Sequence, residues 1–510
     1  MKQIYHSLKL RINTLSSFKK SVLLFLFGSL SALSFAPYYI LPFILIGLCF
    51  LMHFLNLATN KKQTALFSFS FGAGLGVFSL KWITNAFLID GGAFSIFIPI
   101  ALFGFALFMG LFFMIPALCS YYFKPGIQKW LAFSCFFVFF EWVRTWLFTG
   151  FPWNQLGNIW TCFLPILHTA SLIGVLGLSL ITMLFFTSFC LWPQKKYPLV
   201  MISLFCLLTF AGILTLMDNK NENVWGVNLR LVQPNIPQSY KWDKNKALDN
   251  YNTLLTLSRE NNQNITHVIW PESAMPFYPE IDEVERMRLM GALRQGSILL
   301  SGGMRIVNLK KRELANSLFV FDHLANIVGY YDKTHLVPFG EYMPFREILQ
   351  IDKIVPIPSD FKKGDGLKTM FIPKAPPVSP LVCYEVIFSG AVVNKEKRPE
   401  WLLNITNDAW YGISAGPHQH LSIAQMRAVE EGLPLVRSTN NGISAIINPH
   451  GKIIASLGLG KKGVLDASLP RANPPTIFSK YGNIIPLSMI FMIFILALLT
   501  AQREKRYQNQ

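Results

Sequence analysis

The stretch PLVCYEVIF, residues 380–388, brings one thiol, Cys383, to the end of an apolar run. Tyr384 and Glu385 follow at once, as where a strand gives way to a turn. A thiol at such a strand end is expected to be exposed, with the next backbone N–H free to face an oxyanion. A cysteine nucleophile needs a base and a group that holds negative charge. Two other strand ends supply candidates. VIWPESAMPF places Glu272 after an apolar run and beside a proline that breaks the strand. YYDKTHLVPFGEYMPF places Lys333, and eight residues later Glu341, among Pro, Gly and aromatic residues. His335 lies in the same segment and could act as a base, but a packing role is the expectation. Taken singly, each has a bland reading: a small buried hydrophobe for Cys383, a solvated strand end for Glu272, a solvated loop for Lys333.

The elements around these residues are of two kinds. The chain has 510 residues, of which 52% are hydrophobic and only 15% charged, too apolar for an ordinary soluble protein. The apolar residues crowd the first 217 positions. Seven segments there approach the length of a membrane span, near 18–36, 38–58, 64–88, 93–119, 130–149, 164–192 and 198–217, and an eighth runs from 484 to 501. The first has the look of a signal peptide and is expected to stay as an anchor, because more spans follow directly. Lys19 and Lys20, Lys61 and Lys62, Lys124 and Lys129, Lys195 and Lys196, and Arg503, Lys505 and Arg506 fall on one side of the eight spans. The positive-inside rule makes that side cytoplasmic, with both termini there. Residues 218–480 then lie on the far face, the periplasm of a bacterium with two membranes. The net charge of +18 partly records this rule and suits anionic lipid, whereas nucleic acid is a poor partner on the outer face.

Residues 218–480 read differently. VNLRLVQPN, THVIWPES, GSILLSGG, NSLFVFD, LVCYEVIF, WLLNITND and ISAIINPHGK read as strands, and HLSIAQMRAVEEG as a helix. Strands mixed with helices predict a layered α/β domain. The chain has seven cysteines, and Cys383 is the one in this domain, the other six lying in or beside spans. Structural cysteines in an oxidising compartment tend to pair, so a lone one is a buried hydrophobe or a reactive group. PHQH, with His418 and His420, has no second cluster of ligands and reads as a loop leading into a helix, with no metal. Glu141 and Arg144 in FFEWVRTW stand three apart within a span, where charges are expected to pair or to lie near the interface.

Glu272, Lys333 and Cys383, in this order and these contexts, resemble the Glu-Lys-Cys triad of the nitrilase superfamily. With seven spans before and one after, the whole chain resembles its membrane-bound branch, the apolipoprotein N-acyltransferase family. VQPNIPQSYKWD, WPESAMPF, DKTHLVPFGEYMP, VCYEVIF, NDAWYG and TGFPWNQLG carry the resemblance. It implies an eight-helix membrane bundle (1–217 and 481–510) joined to an extramembrane α-β-β-α sandwich (218–480) whose site faces the membrane of the bacterial cell. It implies a phospholipid acyl donor, with phosphatidylethanolamine expected. Its sn-1 chain passes through a Cys383 thioester to the α-amino group of a diacylglyceryl-cysteine at an apolipoprotein's N-terminus. No cofactor, metal or partner subunit is implied, and a monomer is expected. Glu272 would move protons, Lys333 would hold the oxyanion with the N–H of Tyr384, and Glu341 would orient Lys333. Tyr384, Glu385 and Trp242 match family residues near the site. Phe339, Tyr342, Met343, Phe345, Trp410 and Tyr411 are expected to line a lipid entrance, or else to pack. A membrane-tethered nitrilase-like amidase, with water as second nucleophile, is the alternative.

Overall fold

The computed structural model describes residues 13–89, 92, 94–217, 222–241, 243–343 and 360–508. The chain divides into two compact units. Met1–Thr84, Phe97–Leu214 and Tyr481–Gln510 form one, and Asn85–Ile96 with Thr215–Lys480 form the other.

The first unit is helical. Lys61–Leu88, Ser95–Ser120, Ala170–Trp192, Lys196–Met217 and Ile484–Arg503 are long and apolar enough to cross a membrane. Ser17–Ser31, Leu41–Leu57 and Ile127–Val143 have 15, 17 and 17 residues, shorter than the roughly 20 of a straight span. The expected segments 18–36 and 130–149 therefore end early as α-helix. Ser17–Ser31 passes into a short 3-10 turn before Pro37, and Ile127–Val143 stops ahead of the left-handed Phe148 and Thr149. Helices approach closely where side chains are absent: a Cβ on Gly28 would sit 2.0 Å from the Phe71 carbonyl oxygen, and one on Gly74 2.1 Å from that of Phe25. The Glu141–Arg144 pair is buried at 3.7 Å. Glu141 accepts from Leu156 N at 2.8 Å and Arg144 donates to the Trp153 carbonyl at 2.9 Å. The pair thus braces the TGFPWNQLG segment.

The second unit holds two sheets. One runs β11-β1-β2-β3-β4-β5, built of β1 (Asn223–Gln233), β2 (His267–Ile269), β3 (Ile298–Asn308), β4 (Glu313–Phe321), β5 (Ile327–Asp332) and β11 (Gly463–Pro470). The other runs β10-β9-β8-β7-β6, built of β6 (Val378–Val382), β7 (Trp401–Thr406), β8 (Leu435–Thr439), β9 (Ser444–Ile447) and β10 (Ile453–Leu457). Leu229, Leu231, Ile269, Leu300, Leu318 and Val320 of the first sheet meet Val378, Val382, Leu403, Ile405, Val436 and Ile446 of the second in one core. The outer face of the first sheet presents Val232, Val268, Leu299 and Phe319 to Tyr251, Leu254 and Leu257 of the helix Lys244–Arg259. The helix Ala415–Glu431 lies on the second sheet's side, against β8 and the turn after β6. Each sheet is apolar on both faces at its centre, which requires a layer on either side and gives α-β-β-α. β1, β2 and β3 are mutually parallel, as are β6, β7 and β8. β2, β6, β7 and β8 therefore release their next residues from carboxyl ends.

Candidate active site

Glu272 follows β2, Lys333 follows β5, Cys383 follows β6 and Asn407 follows β7. Lys333, Cys383 and Asn407 come directly after their strands and Glu272 three residues after its own, where backbone bonds between residues 270–275 and β3 still hold the chain, so each side chain is aimed by fixed backbone. Cys383 has φ +53° and starts a 3-10 turn through Ile387. That strained corner turns the sulfur out of the strand. Glu272 is followed by Ser273 at φ +50°. Gly302 of β3 permits this second corner: a Cβ there would meet Glu272 Cα, the Pro271 carbonyl oxygen and Ser273 N at 2.6 Å.

The acidic and basic groups converge. Lys333 Nζ stands 2.8 Å from Glu341 Oε2 and 3.6 Å from Glu272 Oε1. Asn316 of β4 donates at 2.8 Å to Oε1 of both carboxylates. Glu272 Oε2 accepts the Asn407 backbone N–H at 2.9 Å, and Glu341 Oε2 accepts that of Val337 at 2.8 Å. Burial works against the Lys333 charge, but Glu341, Glu272 and Cys383 outweigh it and raise its pKa, so it is a fixed cation. Burial, and then the negative charge of Glu272, push the Cys383 thiol up; Lys333 pulls the other way and does not prevail. The resting group is thus a neutral thiol, and a base must take its proton. Cys383 is only 7% exposed, not the open thiol expected of a strand end. It sits in the core between the sheets and beneath its own turn, whose Tyr384 and Phe388 rings lie 5.4 Å apart.

The other expected residues fall as follows. Glu385 is taken up by hydrogen bonds within the fold. It is buried and accepts from Tyr331 Oη, Thr334 N, Thr334 Oγ1, His335 N and Val382 N at 2.6–3.1 Å, tying the Lys333 loop to the Cys383 turn. His335 packs its ring 4.0 Å from that of Phe388. Phe339 is about half exposed, at φ +64°, while Met343 is buried. Tyr342 is partly exposed, as are Trp410 and Tyr411 on the turn Asp408–Tyr411. The Tyr411 phenol is raised, by burial first and then by Cys383, Asp408 and Glu272. Asn85 donates to its carbonyl at 2.7 Å. Trp242 and Phe345 lie outside the described residues.

Sequence reasoning missed Asn316, Asn407, Gln238 and Lys241. Asn407 carried a signal, since it ends the apolar run WLLNIT as Cys383 ends its own. Asn316 carried one as a polar residue at the head of the run NSLFVFD. His418 and His420 stand within the helix Ala415–Glu431 and not on a loop before it. Ser414 caps Gly416 N at 3.1 Å, and Pro417 is tolerated in a first turn. His420 and Arg437 close on Asp408 at 2.9 and 2.7 Å, all fully buried. Burial would raise Asp408, but Arg437 and His420 hold it down to about 2. Arg437 also reaches Asn404, whose Nδ2 donates to the Cys383 carbonyl at 3.3 Å. This network holds the backbone of the Cys383 corner. Among the described residues no group of His, Cys, Asp and Glu could hold a metal ion.

The arrangement can deprotonate a thiol, hold an oxyanion and return a proton to a leaving group. Known proteins with similar sequences bear on which reaction uses it. The family model described as carbon–nitrogen hydrolase matches residues 228–473, and that described as apolipoprotein N-acyltransferase N-terminal domain matches 27–188. An apolipoprotein N-acyltransferase of Rhodopseudomonas palustris is 34% identical, over 94% of this chain and 95% of its own. One of Rickettsia bellii is 36% identical, over 94% and 97%. Among solved structures, an amidase from Nesterenkonia is 18% identical over 49% of this chain and 94% of its own, with a TM-score of 0.36. Two long relatives above 30% identity, and models matched on both sides of residue 217, lead to one assignment: the chain belongs to the apolipoprotein N-acyltransferase family.

Proposed function

We propose that the protein N-acylates diacylglyceryl apolipoproteins, with Cys383 as the acyl carrier. The observation that carries the reading is the convergence of Glu272, Lys333 and Glu341 together with a buried thiol at a strained strand end. In the first half-reaction Cys383 Sγ attacks the sn-1 ester carbonyl of a phospholipid, with phosphatidylethanolamine as donor. Glu272 takes the thiol proton, and Lys333 Nζ and the Tyr384 N–H hold the tetrahedral oxyanion. The C–O bond breaks, Glu272 returns the proton to the alkoxide, and the lysophospholipid leaves. In the second half the α-amino group of the diacylglyceryl-cysteine attacks the thioester. Glu272 accepts a proton from nitrogen, the C–S bond breaks, and the thiol is restored.

The membrane setting belongs to the same proposal. Eight spans, from 1–217 and 481–510, hold residues 218–480 on the periplasmic side of the inner membrane, with both termini cytoplasmic and the chain monomeric. The five long apolar helices and the one-sided basic loops support this. Substrates that stay in the bilayer avoid moving acyl chains into water, which costs about 0.8 kcal/mol per CH₂. The test incubates the enzyme with phospholipid and a diacylglyceryl-cysteine peptide. Amide-linked acyl chain on the peptide, absent with Cys383→Ala, supports the reading. Free fatty acid alone, with the peptide unchanged, would favour a tethered hydrolase.

A further inference from the structure

The site contains two carboxylates, Glu272 and Glu341, against one ammonium, Lys333. A second ammonium lies behind them. Lys241 is 8% exposed, and its Nζ donates to the main-chain carbonyl of Glu272 at 2.9 Å. It ends the single helical turn Gln238–Lys241. Gln238, three residues earlier and so on the same face, accepts from Asn407 Nδ2 at 2.8 Å. Asn407 in turn gives its backbone N–H to Glu272 Oε2. One short turn therefore holds Glu272 twice, at its backbone through Lys241 and at its carboxylate through Asn407. Asn440 fixes the approach to the turn, bonding the Ile236 carbonyl at 2.8 Å and Asn407 Oδ1 at 3.0 Å. A buried ammonium is costly unless a nearby negative group needs it. A neutral amide or an ordered water would satisfy the Glu272 carbonyl more cheaply.

We infer that Lys241 is a positioning residue of the acyl-transfer centre, clamping the Glu272 corner and supplying the second positive charge that makes the Cys383 thiolate accessible. The inference rests on the acyl-transfer reading above. The titratable groups that face Lys241 are Glu272 and Cys383; burial brings the lysine down to about 8 against the pull of both. Its charge is present below that pH and lost above it. Lys333, by contrast, stays charged throughout. Two buried lysines thus divide the work: Lys333 holds the oxyanion, and Lys241 sets the field and the angle of the base.

The test uses the full-length enzyme with Lys241→Gln and Lys241→Arg. Gln keeps a donor for the Glu272 carbonyl and drops the charge; Arg keeps the charge. First, the wild type is shown to take an acyl chain on Cys383 from phosphatidylethanolamine. If it does not, the parent reading fails, whatever Lys241 does. Alkylation of Cys383 by iodoacetamide is then followed against pH by peptide mass. Lys241→Gln is expected to slow alkylation at pH 7.5 about tenfold, a deficit that shrinks above pH 8 as the wild-type lysine loses its charge, with acyl-enzyme formation at pH 7.5 slowed in parallel. Lys241→Arg is expected to restore both to within about threefold. Wild-type alkylation and acylation in Lys241→Gln would overturn the inference while leaving the parent reading intact. So would slow acylation with an unchanged alkylation profile, or an Arg variant as slow as the Gln variant. Failure of both variants to fold would assign Lys241 to structure alone and overturn it too.

Discussion

The Cys383 thiol rests neutral because burial and Glu272 outweigh Lys333. A resting ion pair would have needed no base; in the proposed mechanism a neutral thiol needs one, and that role falls to Glu272. Glu272→Gln is expected to lower the single-turnover rate of acyl-enzyme formation about 10³-fold, within the range for a general base. Lys333→Met is expected to lower it by at least about 10²-fold through loss of the oxyanion donor. Quenched-flow mass measurement of the adduct checks both, and a rate within tenfold of wild type for either variant would count against these roles. Glu385 belongs to a different class. Its carboxylate receives Thr334 N, His335 N and Val382 N, all buried or part-buried donors. Glu385→Ala would orphan them at about 1–3 kcal/mol each. A drop in Tm of more than about 5 °C is expected by scanning calorimetry, where a purely chemical role would leave Tm in place.

At the scale of elements, strand ends and corners set the geometry. Gly302→Ala would push a methyl into the Glu272 corner from neighbouring backbone that has no rotamer to yield. Acyl-enzyme formation is expected to fall at least tenfold while circular dichroism shows the sheets intact; unchanged kinetics would show that the corner tolerates the shift. The helix Ala415–Glu431 carries another buried cluster. Burial and Glu430 raise Glu431 to about 7, against Arg398 and Arg427. The unfolded chain ionises Glu431 from about pH 4.5 upward while the fold keeps the proton to about 7, so stability falls across that window. Glu431→Gln is expected to flatten the Tm profile between pH 5 and 8, removing on the order of 3 kcal/mol of pH dependence; an unchanged slope would contradict this. Much of this layer was legible from the sequence. Apolar runs ending in Glu, Cys and Asn marked β2, β6 and β7, since burial on both faces leaves continuous apolar strands. β8 was not legible, because Arg437 interrupts LVRST and its partner Asp408 is distant in sequence. Nor were β5, β10 and β11, whose half-exposed patterns resemble loops. Lys241 and Asn316 escaped for a similar reason: a buried polar residue is recognisable only once its partners are in place.

At the scale of the whole molecule, the basic residues between apolar segments predict which side each part faces. Asp365→Cys, at a highly exposed position in the second unit, should react with a membrane-impermeant maleimide in intact spheroplasts. Arg503→Cys should react only after permeabilisation. The reverse pattern would invert the topology. The apolar segments were readable from composition, but their helix lengths were not: Pro37 and the left-handed residues at 148 and 149 shorten two of them. The central claim is that Cys383 carries a fatty acid between two lipids. The most direct measurement is the intact mass of the purified protein after incubation with phosphatidylethanolamine alone. The account predicts a gain of one acyl chain, absent in Cys383→Ala and discharged onto a diacylglyceryl-cysteine peptide. No adduct with lipid, together with an adduct from a small amide that water discharges, would contradict it.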